Sequence, residues 1–480
     1  MQTTLKTPHN IKPNQNKTFP IGTIQTVKTI FDELHLTPLL DDLKHCGHQL
    51  SGLITGLVSY KMTENFSVSR CHQWMTHNPL LLEYLQLTSF EDDALYHGLG
   101  ILGENRHQVL SHLLHVLKNE QGVGLDMVIL DWTSSHFEAK PTNLIKYGYS
   151  RDHRPDRPQI TIGLAQDYHS QIPIGLSIQP GNINDQQHFK ITYEQIKPGL
   201  RKGSVLVFDA GATGNPNLDL LAADKMKYLS RMKLNTSDIT KHLNTFHKEE
   251  WTLIITGNPT EQVYGKQLVF PSRTKYLYFS QKLYDDTLLN RRKHLEQEYD
   301  EALSLWKTIQ KQKRPRQKYR NSNHFLQTHL SYAFPLTGFS REQAIERALQ
   351  LSITGKEGFF ALVSNKDFSL HEALQYYREK DSVEKLFNSM KNELRIRPTR
   401  CWTDEAVNGS ILIVFLAQLV VSMLRYKHDE LRHVSTKFII QSLGNFALSI
   451  IIGKNGMKNR VFSNFDDINT VIFCGKTPGS

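Results

Sequence analysis

Cysteine is scarce in this chain. Cys46, Cys71, Cys401 and Cys474 are its four copies among 480 residues, and no two form a CxxC pair. That spacing indicates neither a zinc knuckle nor a disulfide framework, and a reducing cytoplasm is the expected compartment. Long apolar runs are also missing. The longest, Ile411 to Leu424, has 14 residues and contains Gln418 and Ser422, short of the roughly 20 that a bilayer span needs, so it is read as a buried helix. The opening MQTTLKTPHNIKPNQNK lacks the apolar core of a secretory signal, and disorder is expected to about residue 18. Neither an internal repeat nor a clean helix-turn-helix signature is present. Acids are in deficit: 47 Asp and Glu stand against 57 Lys and Arg, a formal charge of +10 with a pI near 9.2. The excess favours a polyanionic partner and says nothing about fold. At 39% hydrophobic residues the chain is globular, and its length implies two to four structural units.

From Ile21 to about Lys118 the apolar spacing is helical, with Phe66 to Leu85 reading as two short helices that carry Arg70 and His72. The period changes after Gly124. Met127 to Leu130 is a continuous apolar run ending in Asp131, as in a strand covered on both faces. Ile160, Ile162 and Leu164, then Ile172, Ile174, Leu176 and Ile178, alternate on either side of a turn, which predicts a hairpin. A helix is expected near Gln187 to Lys197, and Val205 to Phe208 forms another buried strand, closed by Asp209 and opening into AGATGN. Between about 216 and 355, short strand-like pieces precede a charged helix from about Asp286 to Lys311 and the basic run KQKRPRQKYR. This region is read as an insertion, because a sheet pattern returns at Phe359 to Val363. The basic run suits backbone phosphates and equally suits a solvated linker.

Tyr376 to Lys391, YYREKDSVEKLFNSMK, organises the rest. On one α-helix, Tyr377, Lys380, Glu384 and Lys391 share a polar line, since steps of seven drift by only about 20°. Beside it, Val383, Phe387, Met390 and Leu394 form an apolar stripe that would seat the helix on a core. Alternatively Asp381 or Ser382 caps a helix that begins there, Asp381 and Glu384 standing at capping-box spacing, and Tyr377 then approaches from a preceding element. Ser369 and Glu372 have the same spacing, which predicts a helix start at Ser369. Taken alone, the stretch fits an ordinary amphipathic surface helix.

Asp131 and Asp209 each close an apolar strand, where packing does not call for an acid. Asp also commonly begins a turn, but the crevice beyond strand ends in open α/β sheets is where ligands bind. Phosphodiester chemistry accumulates charge on the attacking and leaving oxygens, and two divalent ions can stabilise both. Magnesium prefers oxygen ligands, so Asp131, Asp209 and Glu384 are a sufficient set if the fold brings them together. Lys380 and Lys391 would grip flanking phosphates, with Tyr377 stacking or hydrogen-bonding nearby. His136 is read as structural or as a support to a ligand.

These residues resemble the DDE transposases of bacterial insertion sequences. One branch carries Tyr, two residues, Arg, three residues, Glu, six residues, Lys. Tyr377, Lys380, Glu384 and Lys391 fall on that spacing, with Lys at the Arg position and Arg378 nearby; Lys keeps the charge but loses the bidentate fork. LDWTSSHFE around Asp131 and VFDAG around Asp209 resemble the first and second acid strands, and YGYSRDHRPDRP (Tyr147 to Pro158), PGNINDQQHF and FFALVSN resemble segments of a long-chain branch. The resemblance spans about Leu125 to Leu424. It implies an α/β fold: an RNase H-like mixed five-stranded sheet with flanking helices, an all-helical N-terminal region, and a β-rich plus helical insertion between the second and third acids. The division expected is a helical region at 1–120, catalytic parts at 121–215 and 356–430, an insertion at 216–355 and a tail at 431–480. The resemblance further implies Asp131, Asp209 and Glu384 as ligands of magnesium or manganese. Tyr377, Arg378, Lys380 and Lys391 would hold DNA, and a homodimer would join two element ends by cut-and-paste chemistry. An RNase H-like nuclease without strand transfer, and a catalytically dead DNA-binding remnant, are the competing readings.

Overall fold

The computed structural model describes residues 17–63, 67–138, 140–256, 261–309, 339–396, 401 and 403–474. In chain order its strands are β1 Lys17–Pro20, β2 Met127–His136, β3 Gln159–Asp167, β4 Pro173–Pro180, β5 Val205–Phe208, β6 Lys227–Met232, β7 Thr252–Ile254, β8 Val263–Phe270, β9 Arg273–Ser280, β10 Phe359–Ser364, β11 Ala447–Ile452 and β12 Lys458–Ser463. The fold is mixed α/β. Contacts divide the chain into two compact units, the first made of residues to Lys227 together with Arg378 onward, the second of Tyr228–Tyr377.

In the first unit β3 pairs antiparallel with both β2 and β4, and β2 pairs in parallel with β5. The hairpin expected from Ile160 to Ile178 is β3 and β4. β2 departs from expectation: it does not close at Asp131 but continues to His136, with Asp131 opposite Leu164 and His136 opposite Gln159. The reason is that β3 is long enough to satisfy the backbone of Trp132 to Ser135. The parallel side is shorter. Its last paired residues are Ile129 and Val207, so on the β5 side Asp131 lies beyond the pairing, where the crevice of an open sheet begins.

The helical N-terminal region is present as expected, with seven helices among its described residues, from Gly22–Glu33 to Arg106–Asn119. The pair predicted from Phe66 to Leu85 is Val68–Thr76 and Pro79–Tyr84; Arg70 is exposed, while His72 Nε2 bonds the Phe90 carbonyl at 2.7 Å. The helix read from Ile411 to Leu424 extends over Asp404–Lys427. By length and composition it would suffice to cross a bilayer, yet 94% of its apolar window is buried inside the protein. Thr403 caps it by accepting from the Ala406 amide at 3.1 Å. Asp404 and Glu405 in its first turn and Arg425 and Lys427 in its last complement the helix dipole. Gly409 lies on the Leu99 carbonyl and Gly103 on that of Glu405, with no room for a Cβ at either, so this helix and Asp93–Glu104 cross backbone to backbone. Residues 1–16 of the segment expected to be disordered lie outside the described residues. Lys17 and Thr18 are not disordered: β1 pairs with β11, and Phe19, Ile21, Phe446 and Leu448 close a small apolar core.

The second unit has the antiparallel order β6-β10-β9-β8-β7. Its charged helix, Gln281–Ile309, packs through Leu295, Tyr299 and Ala302 on Ala344, Ile345 and Leu349 of Arg341–Ser352. Lys275 Nζ is buried against Asp238 Oδ1 at 2.6 Å. The basic run from Lys311 to Arg320 lies outside the described residues.

Candidate active site

The stretch from Tyr376 to Lys391 is not one helix. A helix over Leu370–Arg378 ends, and a second, Asp381–Asn388, begins after Glu379 and Lys380 and continues into a wider turn over Ser389–Glu393. The reading with Tyr377 on a preceding element therefore holds, but its cap does not. Lys380 occupies the cap position in helical conformation and, having no acceptor, makes no side-chain cap bond, while Asp381 pairs with Lys385, 2.7 Å away. The Ser369 cap is present, Glu372 N donating to Ser369 Oγ at 3.2 Å and Ser369 N to Glu372 Oε2 at 2.9 Å. The apolar stripe is buried as expected at Val383, Phe387, Met390 and Leu394. Each such side chain contributes about 1.5–3 kcal/mol by leaving water, enough to fix the polar edge of the helix against β2.

That edge places Lys380 among the three acids. Its Nζ lies 2.8 Å from Glu384 Oε1 and 3.4 Å from Asp131 Oδ2, and it also feels Asp209. Burial alone would lower the ammonium pKa; Asp131, then the bond and charge of Glu384, then Asp209 outweigh it, and the net shift is upward. Asp131 is raised, first by burial, against the opposing pull of Lys380, the Trp132 backbone and Arg151. A carboxylate so desolvated holds its charge only beside a cation. Glu384 is on the open side, its side chain 56% exposed.

Asp209 follows β5 directly and turns the chain: its Oδ1 accepts from the Ala210 amide at 2.7 Å, opening a short 3-10 turn over Ala210–Ala212. The small residues of AGATGN have a steric cause. A Cβ on Gly211 would stand 2.5 Å from Asp185 Oδ2, and one on Gly214 2.7 Å from Gln186 Nε2.

Lys391 reaches back to β2. Its Nζ donates to Thr133 Oγ1 at 2.7 Å and to Asp152 Oδ1 at 3.0 Å, and His136 Nδ1 is 3.6 Å from Asp152 Oδ2. His136 is thus a support, as expected, on the carboxylate that neutralises Lys391. Arg378 is exposed, and Tyr377, half-buried, ends the second unit. Arg151, Asp152 and Asp185 were not singled out by sequence reasoning. The Arg151 amide donates to Ser134 Oγ at 2.9 Å and its guanidinium to Asp185 Oδ1 at 2.6 Å. The one signal available was the alternation of cations and acids in YGYSRDHRPDRP.

The donor chemistry fits a hard divalent ion: carboxylate oxygens alone, one of them buried and dependent on positive charge. Asp131 and Glu384 meet at the Lys380 ammonium rather than at a point of their own, and Asp209 acts on it through charge. Among the described residues, no three His, Cys, Asp or Glu side chains close on one another at metal-holding distance. Lys380 thus supplies the positive charge that an ion would share with it or take over.

No curated protein matches the chain. Among solved structures, a cryo-EM structure of a piggyBac transposase synaptic complex with hairpin DNA is 12% identical, covering 89% of this chain and 79% of that one with a TM-score of 0.41, a likeness too distant to transfer any detail. The family model described as a transposase DDE domain matches residues 124–420, more than half of the chain and the whole interval that holds Asp131, Asp209 and Glu384. The chain belongs to the DDE transposase family.

Proposed function

We propose that this chain is the transposase of a bacterial insertion sequence, hydrolysing DNA at the element ends and transferring the freed 3′ hydroxyl to target DNA. The observation that carries the reading is that one ammonium, that of Lys380, contacts Glu384 at 2.8 Å and Asp131 at 3.4 Å, acids from two separate elements, and feels the charge of Asp209 from a third. Asp131, Asp209 and Glu384 would hold magnesium or manganese, which when bound stabilises charge on the attacking and leaving oxygens. Burial of Asp131 excludes water from one side and strengthens every interaction there. Lys380 and Lys391 each stand within reach of an acid they can exchange for a phosphate oxygen, and Arg378 and Tyr377 extend the DNA contact. The N-terminal helical region recognises terminal inverted repeats, two copies join two ends, and the protein works in the cytoplasm on nucleoid DNA.

The test is a strand-transfer assay with DNA flanking the gene as the element ends, in magnesium. Cleavage with joining supports the proposal, and Asp209→Ala should abolish both while binding persists. Cleavage without joining favours a nuclease; cleavage by Asp209→Ala means the acid is misassigned; binding alone favours a remnant.

A further inference from the structure

Tyr147 and Tyr149 are 56% and 86% exposed, and among the described residues no hydrogen bond or ring contact engages either phenol. The backbone that carries them is nonetheless pinned. Lys146 and Gln159 exchange both backbone hydrogen bonds at 2.9 Å, and Gln159 Nε2 donates to the Tyr149 carbonyl at 2.7 Å. Gly148, between the two tyrosines, lies so close to the Gly181 carbonyl that no Cβ would fit. Beyond them the Arg154 amide donates to Ser150 Oγ at 3.1 Å and the Arg151 amide to Ser134 Oγ at 2.9 Å. A loose loop would fold such rings inward; this one holds them out, and the apolar surface remains in water at a cost that the fold does not recover.

What surrounds the rings selects the occupant. Residues 146–157 carry four cations, Lys146, Arg151, Arg154 and Arg157, against Asp152 and Asp156; Arg151 pairs with Asp185, Arg154 and Arg157 share Asp156, Asp152 is engaged by Lys391, and Lys146 stands outside these pairs. Asp152, three residues past Tyr149, is held by Lys391, whose Nζ also bonds Thr133, two residues along β2 from Asp131 and on the same face, about 7 Å away at ~3.3 Å per residue. A partner with a flat apolar face, a negative backbone and business beside the acids is a DNA strand. We propose that Tyr149, with Tyr147 beside it, is a stacking platform for an unpaired nucleobase of the strand held at the acid site. The proposal rests on the transposase reading above and names a contact which that reading does not contain. Aromatic rings beside cations serve this purpose because every base has a π face.

The probe is a fluorescein-labelled 16-nucleotide oligothymidylate, its binding followed by anisotropy in EDTA so that nothing is cut. Tyr149→Ala should weaken binding about 5–30-fold without changing the salt dependence, because no phosphate contact is lost. Tyr149→Phe and Tyr149→Trp should bind like wild type, and binding of a 16-base-pair duplex should change less than about twofold by the same logic. Unchanged affinity in Tyr149→Ala, a loss in Tyr149→Phe equal to that in Tyr149→Ala, an equal loss on duplex, or no binding by the wild type each overturns the platform. The catalytic reading fails separately, when Asp209→Ala cleaves end DNA, and that result leaves the anisotropy series standing.

Discussion

Lys380 Nζ stands 3.4 Å from Asp131 Oδ2, with both side chains largely withdrawn from solvent. Taking away the ammonium leaves a buried carboxylate without its counter-charge, which costs about 3 kcal/mol. Lys380→Met should therefore lower the urea midpoint markedly. If the acids accept a divalent ion, magnesium restores more stability to Lys380→Met than to wild type. Equal responses in the two proteins would remove these acids as a metal site.

Asp131→Asn separates chemistry from stability. The amide keeps the shape and removes a charge that burial disfavours, so the thermal midpoint should stay within a few degrees of wild type. Cleavage of end DNA should fall about a thousandfold, the scale of several kcal/mol of lost charge stabilisation. A variant that unfolds, or one that cuts normally, contradicts this.

Glu357 supplies a pH test in the second unit. Burial pushes its carboxyl upward, but the Thr354 amide, its own amide, Arg291 and the Thr354 hydroxyl hold it down to about 2. Since the folded pKa lies below the unfolded value of 4.5, its stabilisation is fully present above pH 4.5 and is lost as pH falls towards 2. Glu357→Gln should flatten the acid limb of the stability curve in that window and leave the limb above pH 6 parallel to wild type.

Asp152→Asn should release Lys391 from its ion pair while keeping the Thr133 contact. If Lys391 then meets a phosphate, the slope of log affinity against log salt for duplex DNA steepens by about 1. An unchanged slope places Lys391 in a structural role.

Asp209 could be read where it stands because a buried strand ending in an acid is a local pattern, and Val205 to Phe208 needs no distant partner to declare itself. Asp131 could be identified but not placed: whether β2 stops there depends on the length of β3, some thirty residues away in the chain. The glutamate motif was legible as spacing, yet the break at Glu379 and Lys380 depends on Lys380 turning inward to two acids, a tertiary pull that outweighs helical continuity. Asp152 and Asp185 were hidden for a related reason. Their partners Lys391 and Arg151 are matched by geometry and by no periodicity.

The first unit is written in two pieces, with Tyr228–Tyr377 between them, and Glu384 is encoded 175 positions (384 − 209) after Asp209. At ~5–20 residues per second, a ribosome needs on the order of 10–35 s to reach the third acid after making the second. Throughout that interval the nascent chain carries Asp131 and Asp209 without Lys380 or Glu384, so the cluster cannot assemble until most of the chain has been made.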